Sequence, residues 1–225
     1  MAAELRRDRR ERQKRQRQQR QRQSRRSSGI GRQLLVGAGV VAAFVLVVLG
    51  LRAAGVFEPP PAEIDVNAAQ FQVPAGAQIG TLQEDEGRGH INVGQTATYK
   101  TDPPTSGDHW NSTSPAAPAP WGPKDATLPR EVTVHNLEHG GIVIVYNKDT
   151  MSQQEIDLLK STTRTLMNGA YRKIILEPYP LKDAKVALTA WRWLLKLQSV
   201  DQVQIVQFVR AHYADAKYAP EASAP

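Results

Sequence analysis

Residues 34–51 form an unbroken uncharged run, from Leu34-Leu35-Val36 through Val45-Leu46-Val47-Val48-Leu49 to Leu51. As a helix, a run of this length spans roughly 27 Å, close to the hydrocarbon thickness of a bilayer. It shows no polar face, as a helix on the surface of a soluble core would. The competing reading is a cleaved signal peptide, with Ala53-Ala54-Gly55 as the small-residue site. The apolar region of a signal peptide is usually shorter, so an uncleaved anchor is the expectation. An anchor there fixes the rest: whatever folds must come from the residues that follow it.

Charge is distributed to match. Residues 1–32 hold 13 of the 29 Lys and Arg and 3 of the 22 Asp and Glu, a local charge of +10 in a chain whose total is +7. The remainder has 16 basic and 19 acidic residues and carries −3. The basic stretch has no apolar period and cannot build a core. An arginine-rich arm of this kind suits nucleic acid, but beside an anchor it reads as a cytoplasmic tail at anionic lipid headgroups, with no nucleic-acid partner. The positive-inside rule then places residues 1–32 in the cytoplasm and the C-terminal part outside. The expected localisation is the cell membrane, crossed once.

Three consecutive prolines, Pro59-Pro60-Pro61, mark residues 53–75 as a stiff linker. The folded domain is expected over residues 76–215, with a frayed Ala- and Pro-rich tail over 216–225. Glycine-rich turns and short strands open it. A long proline-rich loop over 101–129 follows, long enough to be functional, and Trp110 and Trp121 argue that part of it packs. Residues 131–134 (Glu-Val-Thr-Val) read as a strand. The run 141–146 reads as a strand buried on both faces. A helix is expected over 152–167, with Ser152 and Glu155 as a capping box and Gly169 as its stop. Residues 173–176 read as a strand halted by Pro178. Residues 186–193 read as a strand running into a helical end at Leu194, and residues 201–213 as a helix. The fold class expected is α+β, with a mixed sheet and about two helices behind the anchor. Trp191 and Trp193 alternate and are expected in core packing.

Four of the five histidines cluster with chemistry-bearing neighbours. His109 lies in Pro103-Pro104-Thr105-Ser106-Gly107-Asp108-His109. His135 and His139 lie in His135-Asn136-Leu137-Glu138-His139-Gly140-Gly141, and His90 lies upstream. Together with Ala190-Trp191, Pro178-Tyr179-Pro180 and Ala219-Pro220-Glu221, these motifs resemble the membrane-anchored bacterial proteins of domain of unknown function family 3105. The resemblance runs over about residues 76–221. It implies a single extracytoplasmic domain behind one span and brings no assigned activity.

The chain has no cysteine, so a metal here must be held by imidazole and carboxylate. If residues 135–139 are helical, the two histidines share a face with their Cβ atoms roughly 6 Å apart. If extended, they stand about 13 Å apart and no single ion bridges them. His135, His139 and His109 are the first candidate ligands, completed by Glu138 or His90, with Asp108 orienting an imidazole. Zinc and copper(II) suit such a set. Two other readings stay open. The histidines bond to backbone and brace the loop of a non-catalytic envelope scaffold; or His-x-x-Glu-His serves a zinc-dependent hydrolase with Glu138 as base and a ligand from Glu155, Glu177 or Glu221. Whether the chain is an enzyme stays open. His212 is expected to be structural or at the surface.

Overall fold

The computed structural model describes residues 63–225, together with Arg15, Arg17, Arg20 and residues 45–47, which are helical. The basic tail, the apolar run and residues 53–62 of the linker lie otherwise outside the described residues. Among the described residues no helix is long and apolar enough to cross a membrane.

The unit over residues 60–225 opens with a 3-10 turn, Ala69–Phe71. Then come β1 (Thr81–Leu82), β2 (His90–Ile91), β3 (His109–Trp110), β4 (Ser112–Thr113), β5 (Ala116–Ala117) and β6 (Gly122–Pro123). Helix α1 (Arg130–Glu138), β7 (Ile142–Tyr146), α2 (Gln153–Asn168), β8 (Ile174–Pro178), β9 (Val186–Ala190), β10 (Trp193–Leu197) and α3 (Gln202–His212) complete it. Six strands form one sheet in the order β1-β10-β9-β7-β8-β6. The pairs β7–β8 and β8–β6 are parallel, and the other three are antiparallel. The fold is therefore α+β with a mixed sheet, as expected, but residues 63–225 hold three α-helices and a 3-10 turn rather than about two helices.

The strand alternation explains the unbroken apolar run at 142–146. Ile142, Ile144 and Tyr146 point to one face, where Leu159, Leu166, Ile205, Phe208 and Val209 of α2 and α3 cover them. Val143 and Val145 point to the other, against Val132, Val134 and Leu137 of α1 and against Trp191. With both faces covered, no position on β7 tolerates a polar residue, and all five are buried.

Residues 131–134 are helical, not a strand. Glu131 through Glu138 are all buried, so α1 sits inside the protein almost all round. The apolar contacts of Val132, Val134 and Leu137 outweigh the modest helix penalty of β-branched residues. Its end is built by the two glycines. Gly140 takes φ +76°, its N–H donates to the Leu137 carbonyl, and the Gly141 N–H donates to Asn136. That is a Schellman motif, and it turns the chain straight into β7.

Helix α2 carries the expected capping box, Ser152 and Glu155 each bonding the other's backbone N–H, and ends at Gly169. The helical end expected at Leu194 is strand β10. Trp191 and Arg192 are the turn of a β9–β10 hairpin, with Arg192 at φ +68°. That backbone is held on both sides: the Arg192 N–H donates to Thr105 at 2.8 Å, and its carbonyl accepts from Gln83 at 2.7 Å. Trp191 and Trp193 do pack on opposite faces of the core. Packing extends beyond residues 76–215 at both ends. Phe71 is buried beside α3, and Ala219 and Ala222 are buried against the α1 side.

Candidate metal centre

Three segments deliver the site. Strands β2 and β3 pair in parallel with His90 opposite His109. The His109 N–H donates to the Gly89 carbonyl at 2.9 Å, and the Gly89 N–H donates to Asp108 Oδ1 at 3.0 Å. Asp108 was expected to orient an imidazole; instead it fastens the two segments together. Helix α1 supplies His135 and Glu138 three residues apart, on one face. Behind them, the Ala119 N–H donates to Asn136 Oδ1 and the Asn136 amide donates to the Ala119 carbonyl, which holds α1 against the loop.

One ligating atom each of His90, His109, His135 and Glu138 lies within 4.8 Å of the other three. Glu138 Oε2 is 3.0 Å from His109 Nε2 and 3.8 Å from His90 Nε2. The ring centres are 4.8 Å apart for His109–His135, 5.0 Å for His90–His109 and 5.5 Å for His90–His135. A tetrahedral zinc with bonds of about 2.1 Å sets its ligands roughly 3.4 Å apart, so the group needs only modest contraction to close on one ion. His109, His135 and Glu138 are buried, and His90 is exposed. The side able to move is thus the solvent side.

The hydrogen bonds settle which nitrogen of each buried ring faces inward. A carbonyl only accepts, so Nδ1 of His109 donates to Gly107 at 2.9 Å and Nδ1 of His135 donates to Trp110 at 2.7 Å. In the neutral ring, Nε2 then carries a lone pair. For His109 that lone pair faces the Glu138 carboxylate at 3.0 Å. Two acceptors at that distance need something positive between them: a proton shared by the imidazole and the carboxylate, or a metal ion. Burial lowers the His135 pKa, which favours its neutral, ligating form. Burial pushes Glu138 upward, but the His109 bond and the surrounding imidazoles outweigh it and hold it below the usual carboxylate range.

His139 stands apart from this group. The helical turn does set its ring 4.8 Å from that of His135. Its nitrogens turn elsewhere, however, Nδ1 donating to the Pro225 carbonyl at 3.1 Å and Nε2 lying 3.4 Å from Glu221 Oε2. His90 and Glu138, named as completing residues, occupy the places expected of His139. Of the carboxylates considered for a hydrolase, Glu155 caps α2 and pairs with Lys185. Glu177 accepts from the Leu128 N–H at 2.7 Å. Glu221 alone of the three reaches a histidine, and that one, His139, lies outside the group. His212 is buried, stacked on Trp193 at 4.3 Å, and bonded to the Ile79 carbonyl. The carbonyls of Gly107 and Trp110, which orient the two buried imidazoles, carried no signal in the sequence.

No curated protein and no solved structure matches the chain. The family described as protein of unknown function (DUF3105) matches residues 90–225, a span that begins on His90 and takes in every residue of the cluster. Covering more than half of the chain, that match shows that it belongs to the DUF3105 family.

Proposed function

We propose that this domain binds a divalent transition-metal ion, zinc or copper, between His90, His109, His135 and Glu138. The observation that carries the reading is the pair of carbonyl-fixed imidazoles whose free nitrogens converge on a buried carboxylate. Backbone carbonyls on Nδ1 are the usual outer partners of ligating histidines: they fix the tautomer and raise the basicity of Nε2. Four protein donors fill a tetrahedral shell, the arrangement of an ion held in place rather than one with a position open to substrate. This favours binding over the hydrolase reading, in which Glu138 must stay free to act as a base. The bracing reading draws on the same carbonyl bonds, and it requires a proton rather than an ion between His109 and Glu138.

Elemental analysis and zinc titration of the full chain, purified without a histidine tag, decide between them. One tightly held equivalent is expected, lost in His109→Gln and Glu138→Gln. No uptake of zinc or copper overturns the proposal. The anchor reading belongs here too. The apolar run over 34–51 and the +10 segment before it support a domain held outside the cell membrane by a single span. Deleting residues 34–51 should release the chain from the membrane fraction; retention there refutes the anchor.

A further inference from the structure

We infer that the cleft between residues 73–79 and residues 215–218 binds a small organic hydroxy acid. It holds about 480 Å³, and Trp193 of β10, Arg210 and His212 of α3, Lys217 and Tyr218 stand in its walls. It shares no residue with the proposed metal centre. Trp193 and His212 are 8% and 6% exposed, and their rings stack at 4.3 Å. Trp193 Nε1, His212 Nδ1 and Arg210 Nε are each buried without a protein partner. Among the described residues six side-chain atoms are left in that state, and these three belong to one cleft. A buried polar atom without a partner is costly, so three around one cleft mark where a bound molecule completes the bonding. The space is far larger than the roughly 30 Å³ that one water takes up.

The unmet groups define the ligand. An indole N–H and a guanidinium Nε–H only donate, so each needs an acceptor. His212 Nε2 donates to the Ile79 carbonyl at 2.7 Å. Burial lowers the His212 pKa and keeps the ring neutral, so Nδ1 is a lone pair that takes a hydrogen bond from the ligand. The local charge favours an anion. The terminal nitrogens of Arg210 bond to neutral oxygens of Gln72, Val66 and Asn67, and Lys217 Nζ lies 5.0 Å over the Tyr218 ring. A carboxylate that accepts from Trp193 and Arg210, next to a hydroxyl that donates to His212, meets all three needs. Tyr218, edge-on to Trp193 at 5.4 Å, and Val73 give the carbon skeleton an apolar wall.

The test is proton–nitrogen NMR of the tag-free full chain, with chelator present so that no metal holds the probe. The probe is phenyllactate, which carries a carboxylate, a hydroxyl and an apolar ring. It should shift the Trp193 indole signal, the one that Trp193→Phe removes, and saturate in the millimolar range or below. Hydrocinnamate lacks only the hydroxyl, and phenyllactamide replaces the carboxylate by a neutral amide; each should bind about tenfold more weakly. Trp193→Phe keeps the stacked ring, loses the N–H and should weaken phenyllactate by about tenfold. Lys217→Gln, at an exposed position, should weaken it about threefold and leave the fold unchanged. An indole signal that does not move overturns the proposal. So does equal affinity for phenyllactate and hydrocinnamate, or binding untouched by Trp193→Phe. The three compounds are compared on the unaltered chain, so the outcome is decided even where a change at Trp193 costs stability.

Discussion

Glu177 is a carboxylate buried on β8, and replacing it by glutamine should make stability depend less on pH. The side chain points to the α1 side of the sheet and accepts from the Leu128 N–H, just before the helix that carries His135 and Glu138. Burial raises its pKa to about 7 from an ordinary 4.5, against the opposing pull of the Leu128 bond and Lys124. Between those two values the folded chain keeps a proton that the unfolded chain has released. Stability therefore falls as pH rises through the window; the loss is absent below about 4.5 and complete above about 7. At 1.36 kcal/mol per pH unit the full loss is about 3 kcal/mol, a sizeable share of the stability of an ordinary domain. Glutamine keeps an oxygen for Leu128 and never ionises. In urea unfolding with chelator present throughout, Glu177→Gln minus wild type should grow by about 3 kcal/mol from pH 4.5 to pH 8. A constant offset reflects only the new amide and leaves the slope as the readout. A difference that does not change with pH, or that shrinks as pH rises, would falsify the assignment.

Other perturbations probe the elements around the site. A Cβ at Gly141 would clash with two edge carbons of the Trp121 ring and lie 2.8 Å from the Asn136 carbonyl oxygen. Gly141→Ala should cost about 2–3 kcal/mol and weaken metal uptake by displacing α1; unchanged melting and unchanged uptake would refute the tight fit. Ser152→Ala should cost about 1 kcal/mol through the lost capping box and leave zinc binding intact, as thermal melting and titration will show. Lys173→Met removes the cation that ties the His139 carbonyl at the end of α1 to the Ala222 and Ala224 carbonyls of the tail. It should lower stability by about 2 kcal/mol and expose the tail after residue 214 to protease, and a tail that stays protected would show that its apolar contacts suffice.

The sheet was legible where burial alone decides. The β-branched run at 142–146 and the period of α2 reported their own environments, and the capping box marked a boundary to the residue. The sequence of α1 misled for a physical reason. Val132, Thr133 and Val134 prefer extended backbone in isolation, and only burial on nearly every side makes a helix there the better solution. Convergence of His109 with the motif at 135–139 was readable as chemistry but not as geometry, because it depends on the parallel pairing of two-residue strands that carry no period. The exchange of His139 for His90 was hidden in the tail. A polar, alanine-rich stretch looks free until Ala219 and Ala222 are seen against the core, bringing Glu221 to His139.

The six-stranded sheet also acts as a bulkhead. Behind it, α2 and α3 rest on aliphatic and aromatic side chains; in front lie α1 and the four residues of the proposed centre. Ion chemistry thus resides on one side of the wall, while the rear side contributes stability but none of those four residues. Substitutions in the rear compartment should tune how much heating the chain survives while leaving its appetite for metal untouched, so the two properties can drift, or be engineered, independently.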